Sequence, residues 1–283
     1  MIKFEHTEVL GWEHAIRGMR NPMNSWEKSD SEFGPFAEEN VYLQRIDIST
    51  DPKIGPNDLD LMNRLRHSGT DHRKFMRMIT VYVDITAPLY FFKEFETYKV
   101  GTVSNSCSTM HKIHAKEFTL EDFSTDRLID YELYSCNEVD GPVLNCAPDV
   151  YCGGLQHMNL TINVLNYYRK KYIETKDKRY WWQMIQLLPS SYNQKRTVMM
   201  NYEVLANIYK SRKNHKLDEW AAHSSSIPDS TSQALYSKDL PFGFCDWIKT
   251  LPYSELITGE YFLTHDEIME KLEKWAKDAE REV

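Results

Sequence analysis

The sequence predicts an α/β (α+β) fold, a mixed β-sheet flanked by helices, and three features carry that expectation. Residues 79–86 alternate, with Ile79, Val81, Val83 and Ile85 set against Thr80, Tyr82, Asp84 and Thr86, the period of two of a half-buried strand. Ala87-Pro88 closes this run, and Leu89, Phe92, Phe95 and Lys99 then follow at helical spacing until Gly101. Further along, apolar residues recur every three or four positions in several long stretches, which surrounds the strand with helices.

At the start, Met1–Phe4 reads as a short strand and Trp12, Ile16 and Met19 as the apolar stripe of a helix that Asn21-Pro22 ends. Arg17 and Arg20 lie three apart on a neighbouring face. They read either as solvated surface arginines or as a clamp for a phosphate. A short strand, Val41–Ile48, precedes Asp51-Pro52 and Gly55-Pro56, after which Asn57 or Asp58 can cap a helix carrying Leu61, Met62 and Leu65. That helix stops at Ser68-Gly69. His67 and His72 near the stop have no acidic or thiol partner at ligand spacing, so no metal site is expected.

The segment Thr102–Thr109, holding Asn105, Cys107 and Ser108, reads as a loop of small hydrogen-bonding residues. Residues 112–153 have little periodicity beyond a short helix starting near Thr119. Leu155–Tyr172 is a helix on the stripe Met158, Ile162, Leu165 and Tyr172, and Arg179–Leu187 is a second. A third is read through QKRTVMMNYEVLANIYKSR, where Gln194, Thr197, Asn201, Leu205, Ile208 and Arg212 share one stripe. Polar residues in line with leucine and isoleucine suit either a polar subunit interface or a ligand-facing helix. Residues 1–220 therefore form the α/β domain, 221–240 a flexible loop or insertion, and 241–283 a C-terminal helical extension. In that extension, helices are expected at Cys245–Thr250 and after the capping-box pattern at Thr264–Glu267.

A formal charge of −8 and a pI near 5.7 argue against a dedicated duplex-DNA binder while leaving room for a nucleotide pocket. Five cysteines without a CxxC pair, no signal-peptide pattern and no long apolar run point to a cytoplasmic protein with no membrane partner. The 17 tyrosines and 7 tryptophans suggest stacking surfaces or an oligomer interface. There is no glycine-rich phosphate loop, GxSxG or HExxH, and neither Cys107 nor Ser108 has a visible base.

A resemblance joins these pieces. The order of strand, Ala87-Pro88, aromatic helix and small polar loop is followed by Leu188-Pro189, Asn201 and Arg212, with eleven and ten residues between them. Over roughly residues 10–220 this resembles the flavin-dependent thymidylate synthases. Their hallmark has the form RHRxxSxNExSxR, and their later segment reads LP…NxRxLxNFLxLR…HAQWEI, met here by Leu188-Pro189, Asn201, Leu205, Asn207, Arg212, His215 and Glu219. The resemblance implies a homotetramer that binds FAD and dUMP where subunits meet. Its reaction methylates the pyrimidine at C5, with methylenetetrahydrofolate and NADPH consumed. It further implies that Arg212 holds and polarises the uracil, that Asn201, Asn207, Lys99 and Asn105 meet the flavin, and that Ser108 and Thr109 meet the nucleotide. With the Ala-Pro start aligned, the hallmark Arg-His-Arg becomes Thr97-Tyr98-Lys99, its glutamate Ser106 and its last arginine Met110. The arginine before Leu-Pro becomes Ile185, and that of NxR becomes Glu203. Four such contacts, at about 1.5–3 kcal/mol each, amount to roughly 6–12 kcal/mol, comparable to the ~8 kcal/mol that holds a micromolar ligand. Either other cations take over, with His111, Lys112, Arg17 and Arg20 the nearest candidates for binding the substrate's anionic groups, or the ligands differ. A nucleotide-binding paralogue that keeps the scaffold without catalysis is the alternative.

Overall fold

The alternation at 79–87 forms the middle of a four-stranded sheet in the structure, a computed structural model that describes residues 2–40, 45–129, 134–135, 151–221 and 242–260. Strands β1 (Lys3–Leu10), β4 (Thr80–Pro88), β8 (Asn193–Asn201) and β5 (Val103–Ser106) lie side by side in the order β1-β4-β8-β5. The remaining strands pair separately, β2 (Phe36–Asn40) with β3 (Arg45–Ser49) and the two-residue β6 (Tyr134–Ser135) with β7 (Tyr151–Cys152). The helices are α1 (Trp12–Arg20), α2 (Pro56–His67), α3 (Leu89–Phe95), α4 (Gly154–Thr175), α5 (Lys178–Leu187), α6 (Tyr202–Arg212), α7 (Phe244–Lys249) and α8 (Glu255–Thr258), with a 3-10 turn at Arg73–Arg77. The α+β class holds, and within it every pairing of the main sheet is antiparallel where a mixed sheet is the sequence expectation.

One face of the sheet makes the core. Ile79, Val81, Val83, Ile85 and Ala87 are buried, as are Val198 and Met200 of β8. Against them pack Trp12 and Ile16 of α1, Phe91, Phe92 and Phe95 of α3, Leu205 and Ile208 of α6, and Trp220, Phe244 and Trp247. A second, smaller cluster joins Ile162 and Leu165 of α4 and Met184 of α5 to Ile113, Phe118 and Phe123. The α1 stripe and the helices at 154–175 and 178–187 are as the sequence implies. No helix among the described residues is long and apolar enough to cross a membrane.

Five local expectations change. The single helix expected over 194–212 is a strand followed by a helix. Its first half has period two, with Gln194, Val198 and Met200 buried and Arg196 between them laid 4.0 Å from the centre of the Phe92 ring. A glutamine and an arginine at inward positions disguise that alternation. The helix after Pro88 ends at Phe95, so Lys99 lies in the following turn, and half of the expected loop at 102–109 is β5, paired with β8. β1 extends to Leu10, with an irregularity between Glu5 and Glu8 where His6 adopts φ 52°; its charged side chains belong to an edge strand and mask it. The helix at 56–67 is capped by neither Asn57 nor Asp58. Asp30 accepts from the backbone N–H groups of both, at 2.9 and 3.1 Å.

Asp58 is instead the polar centre of this corner. It is fully buried and accepts from Arg20 Nε at 2.6 Å, from the hydroxyls of Ser29 and Ser31 at 2.7 Å each, and from the Asp30 and Ser31 backbone N–H groups. Burial alone raises its pKa, and the hydrogen bonds from Ser31, Ser29 and Arg20 outweigh it and hold the carboxyl below its ordinary value. Arg20 is thereby spent on the fold. Arg17 is exposed, with Nη2 3.0 Å from His14 Nδ1. The two arginines border a cavity of about 170 Å³ lined also by Glu13, Ile16, Trp26, Ser29 and Phe33. The expected 221–240 loop, apart from Ala221, the helix after Thr264 and residues 41–44 of the second strand lie outside the described residues.

Removing one partner of a buried ion pair costs about 3–5 kcal/mol, because the other charge stays buried. Asp58→Ala is therefore expected to lower unfolding free energy by about that amount in urea titrations. A loss below ~1 kcal/mol would show that Arg20 finds water or another partner.

Candidate functional site

The site is built around α6. Asn201 caps it, its Oδ1 accepting from the Val204 backbone N–H at 3.0 Å. The turn before β5 closes on this cap through Gly101, at φ +79°, where a Cβ would come within 3.0 Å of both Asn201 Nδ2 and Val204 Cγ2. Inward, Leu205 and Ile208 anchor the helix in the core. Glu203 and Asn207 are four residues apart and share a second face, and Arg212 is rotated from Asn207 by about 140°. The stripe expected over 194–212 is divided, with Gln194 and Thr197 on β8, Asn201 at the cap, and Leu205, Ile208 and Arg212 on α6.

The first cluster surrounds Arg212. Its Nη1 lies 2.6 Å from Glu94 Oε2, and its Nε donates to the Tyr98 hydroxyl at 2.9 Å. The guanidinium carbon sits 5.2 Å from the centre of the Trp220 ring, which is itself buried and stacked on Phe91 at 4.3 Å. His215 Nε2 faces the same Glu94 oxygen at 3.4 Å, and its Nδ1 accepts from the Leu217 backbone N–H. With Nδ1 accepting, Nε2 carries the proton of the neutral ring and is directed at Glu94. The cluster pairs a cation with a carboxylate on an aromatic floor, an arrangement that holds a planar guanidinium in one orientation. Nearby, Tyr90 donates to Glu219, and burial first, then Glu219, push the phenol's pKa up.

The second cluster surrounds Glu203. Arg73 Nε donates to Oε1 at 3.0 Å, and Arg77 donates to both oxygens, from Nε to Oε2 and from Nη2 to Oε1. Arg73 Nη2 also donates to Asn207 Oδ1 at 3.3 Å. Burial pushes the Glu203 carboxyl up, but Arg77 and Arg73 together hold it below its ordinary value. The juxtaposition follows from strand pairing. Thr80 is opposite Asn201, so the 3-10 turn entering β4 must lie beside the helix leaving β8. Under the resemblance Glu203 stands where the family has an arginine; the fold surrounds it with two.

The hallmark positions lie elsewhere along the sheet. Asn105 is exposed on β5 opposite Thr197. Because β5 runs against β8, Ser106 pairs with Arg196, about 17 Å along the strand from Asn201. Beyond it, the Ser108 hydroxyl accepts from the backbone N–H groups of Met110 and His111 at 3.2 and 2.9 Å, closing a turn in which Thr109 is half-buried and His111 exposed. Among the described residues, none of Asn105, Ser108, Thr109 and His111 hydrogen-bonds to Arg212 or Asn207, and Lys99 is exposed in its turn. Glu94, Trp220, Arg73 and Arg77 were not legible as site residues. Only the four-residue spacing of Arg73 and Arg77 hinted that two guanidiniums could act together. Among the described residues, no group of three His, Cys, Asp or Glu side chains could hold a metal ion.

Glu203→Ala leaves two guanidiniums facing each other without their carboxylate and is expected to cost about 1–3 kcal/mol at pH 7. The folded-state pKa lies below the unfolded value near 4.5, so this contribution is complete above that value and lost as pH falls through the folded one. Denaturant titrations at neutral and strongly acidic pH should therefore show wild type and variant converging in acid. A gap that persists unchanged would assign the loss to packing.

Comparison of the sequence with protein-family models and with curated proteins finds no match. Solved structures do match. The chain is similar to the flavin-dependent thymidylate synthase ThyX from Helicobacter pylori complexed with FAD and dUMP, at 15% identity over 92% of this chain and 97% of that one, with a TM-score of 0.52. A second structure of ThyX from the same organism, also with FAD and dUMP, gives 14% identity, the same coverage and a TM-score of 0.52. The UMP/dUMP methylase PolB from Streptomyces cacaoi, bound with 5-Br dUMP, is matched at 12% identity over 79% of this chain and 82% of that one, with a TM-score of 0.46. At such identities the likeness is one of fold, and the chain has the fold of the flavin-dependent thymidylate synthases.

Proposed function

We propose that the chain binds a flavin and a pyrimidine nucleotide and methylates dUMP, or a related nucleotide, at C5, using FAD, methylenetetrahydrofolate and NADPH. The observation that carries this reading is Arg212, oriented by Tyr98 and Trp220 on a thymidylate synthase fold. The donor set fits the ligands. The Asn201 cap bond uses only Oδ1, leaving its amide N–H groups for other acceptors, and Asn207, Asn105 and Lys99 are exposed. These four would hold the flavin, whose contribution when bound is to carry the hydride. Ser108, Thr109, His111 and Arg17 would meet the nucleotide, with Arg20 excluded by its bond to Asp58. Arg212 would donate N–H groups to a base oxygen, holding and polarising the ring whose C5 attacks the one-carbon unit, and its fixed orientation lowers the reorganisation this requires. A homotetramer with sites between subunits suits the separation of the Ser108 turn from the N-terminus of α6, since a second copy can complete each half.

One observation favours the non-catalytic alternative. Glu94 neutralises Arg212, so the guanidinium meets a ligand with its charge already balanced. Nucleotide binding survives such pairing more easily than stabilisation of developing charge.

Titration with FAD, followed by flavin absorbance, and thermal shift with dUMP test binding, and C5 methylation read by mass spectrometry tests the reaction. FAD uptake, a raised Tm with dUMP and methylated product are expected, with Arg212→Ala lowering turnover about ten- to a hundredfold for a lost charge-assisted contact. Binding without product supports the non-catalytic reading. Saturating FAD and dUMP that leave absorbance and Tm unchanged would sink both.

A further inference from the structure

The cluster at Glu203 carries more positive charge than its carboxylate cancels. Arg73 and Arg77 share Glu203, and Asp71 also acts on Arg77, but with Arg66 close enough to feel Arg73 a positive surplus remains on a chain whose formal charge is −8. Arg66 senses it, its pKa lowered by burial first and then by Arg73. Arg66 is itself committed, donating to the Leu256 and Ile257 carbonyls. Arg73 and Arg77 are not fully committed. Glu203 and Asn207 take their Nε and Nη2 groups, while neither Nη1 bonds to another described residue.

Their placement is rigid and open at once. Phe75 and Met76, between them in sequence, are buried in the core, which fixes the 3-10 turn that carries both. Arg77 is half exposed, at 51%, and Arg73 22%, whereas Glu203 is 11% exposed with both oxygens covered by guanidinium N–H groups. An approaching anion meets the outer edges of two forks and not the acid that holds them. Two planar forks set in place beforehand lose little entropy on gripping a polyanion, the condition that favours arginine in phosphate recognition.

We propose that Arg73 and Arg77, held in register by Glu203, form a binding site for a phosphate or diphosphate group, with Asn207 at its margin and Glu203 as a positioning residue. The proposal rests on the nucleotide-binding reading for the source of the anion, the diphosphate of a dinucleotide or the phosphate of a mononucleotide, and not for the anion site itself.

Calorimetric titration of the full chain with inorganic pyrophosphate at low salt tests the site. Wild type should bind, Arg77→Gln should bind at least about tenfold more weakly, and Arg77→Lys, which keeps the charge and loses the fork, should fall between them. Circular dichroism verifies that each variant is folded, and Arg77→Lys serves if the glutamine variant is not. Paired titrations identify the source. If a dinucleotide supplies the anion, the preference for FAD over riboflavin collapses in Arg77→Gln, and if a mononucleotide does, the preference for dUMP over deoxyuridine collapses. Wild type that takes up no pyrophosphate at millimolar concentration, or folded variants that bind it as wild type does, overturns the proposal even where FAD and dUMP bind. Pyrophosphate binding that depends on Arg77 while neither FAD nor dUMP binds upholds the site and removes the nucleotide reading.

Discussion

Every placement in the candidate site depends on the antiparallel pairing of β4 with β8. Its register runs without a break from Thr80 opposite Asn201 to Pro88 opposite Asn193. At one end, the Tyr202 backbone N–H reaches the Ile79 carbonyl at 3.1 Å, and the segments entering β4 and leaving β8 become neighbours, which brings Arg73 and Arg77 to Glu203. At the other end, the N–H groups of Leu89 and Tyr90 donate to the Tyr192 and Ser190 carbonyls at 3.0 Å each, so α3 starts at a fixed point. Both α3 and α6 then pack into the same core, and Glu94 and Tyr98 meet Arg212.

The strength of that pairing comes from burial. Ile79, Val81, Val83 and Ile85 are each essentially fully buried. At about 1.5–3 kcal/mol per side chain, their burial contributes roughly 6–12 kcal/mol before entropy is counted. A slip of one residue would turn all four outward. Single charged contacts, at about 1.5–3 kcal/mol, are too weak to move such a register. The sheet therefore dictates which charges meet, and the charges adapt.

They adapt differently in the two clusters. Glu203 binds two guanidiniums, whereas Glu94 pairs with the single guanidinium of Arg212 and faces His215. An arginine-to-glutamate change read along the chain looks like lost affinity for an anion. In three dimensions the acid is a holder for cations supplied from 126 and 130 residues away. Sequence comparison counts charges at aligned positions; the electric field counts charges by distance.

Local order was legible wherever apolar residues alone mark the period. The alternation of β4, the Trp12–Ile16–Met19 stripe and the helices at 154–175 and 178–187 follow from burial of one face, which the sequence states directly. It failed at β8, where Gln194 and Arg196 occupy inward positions, because their partners, the Cys107 carbonyl and the Phe92 ring, come from other strands and helices. The class of fold, the short turn of helix starting near Thr119, and Arg212 as a side chain of interest were legible in the sequence itself, whereas Asn201, read inside a helix, became a cap only in the fold. Strand direction, the diversion of Arg20 to Asp58, the pairing of Arg212 with Glu94 and the gathering of Arg73 and Arg77 at Glu203 were decided only by tertiary structure. The reason is reach. Periodicity reports which face of an element avoids water, while a charge is satisfied by whichever element the packing of those faces brings within hydrogen-bond distance.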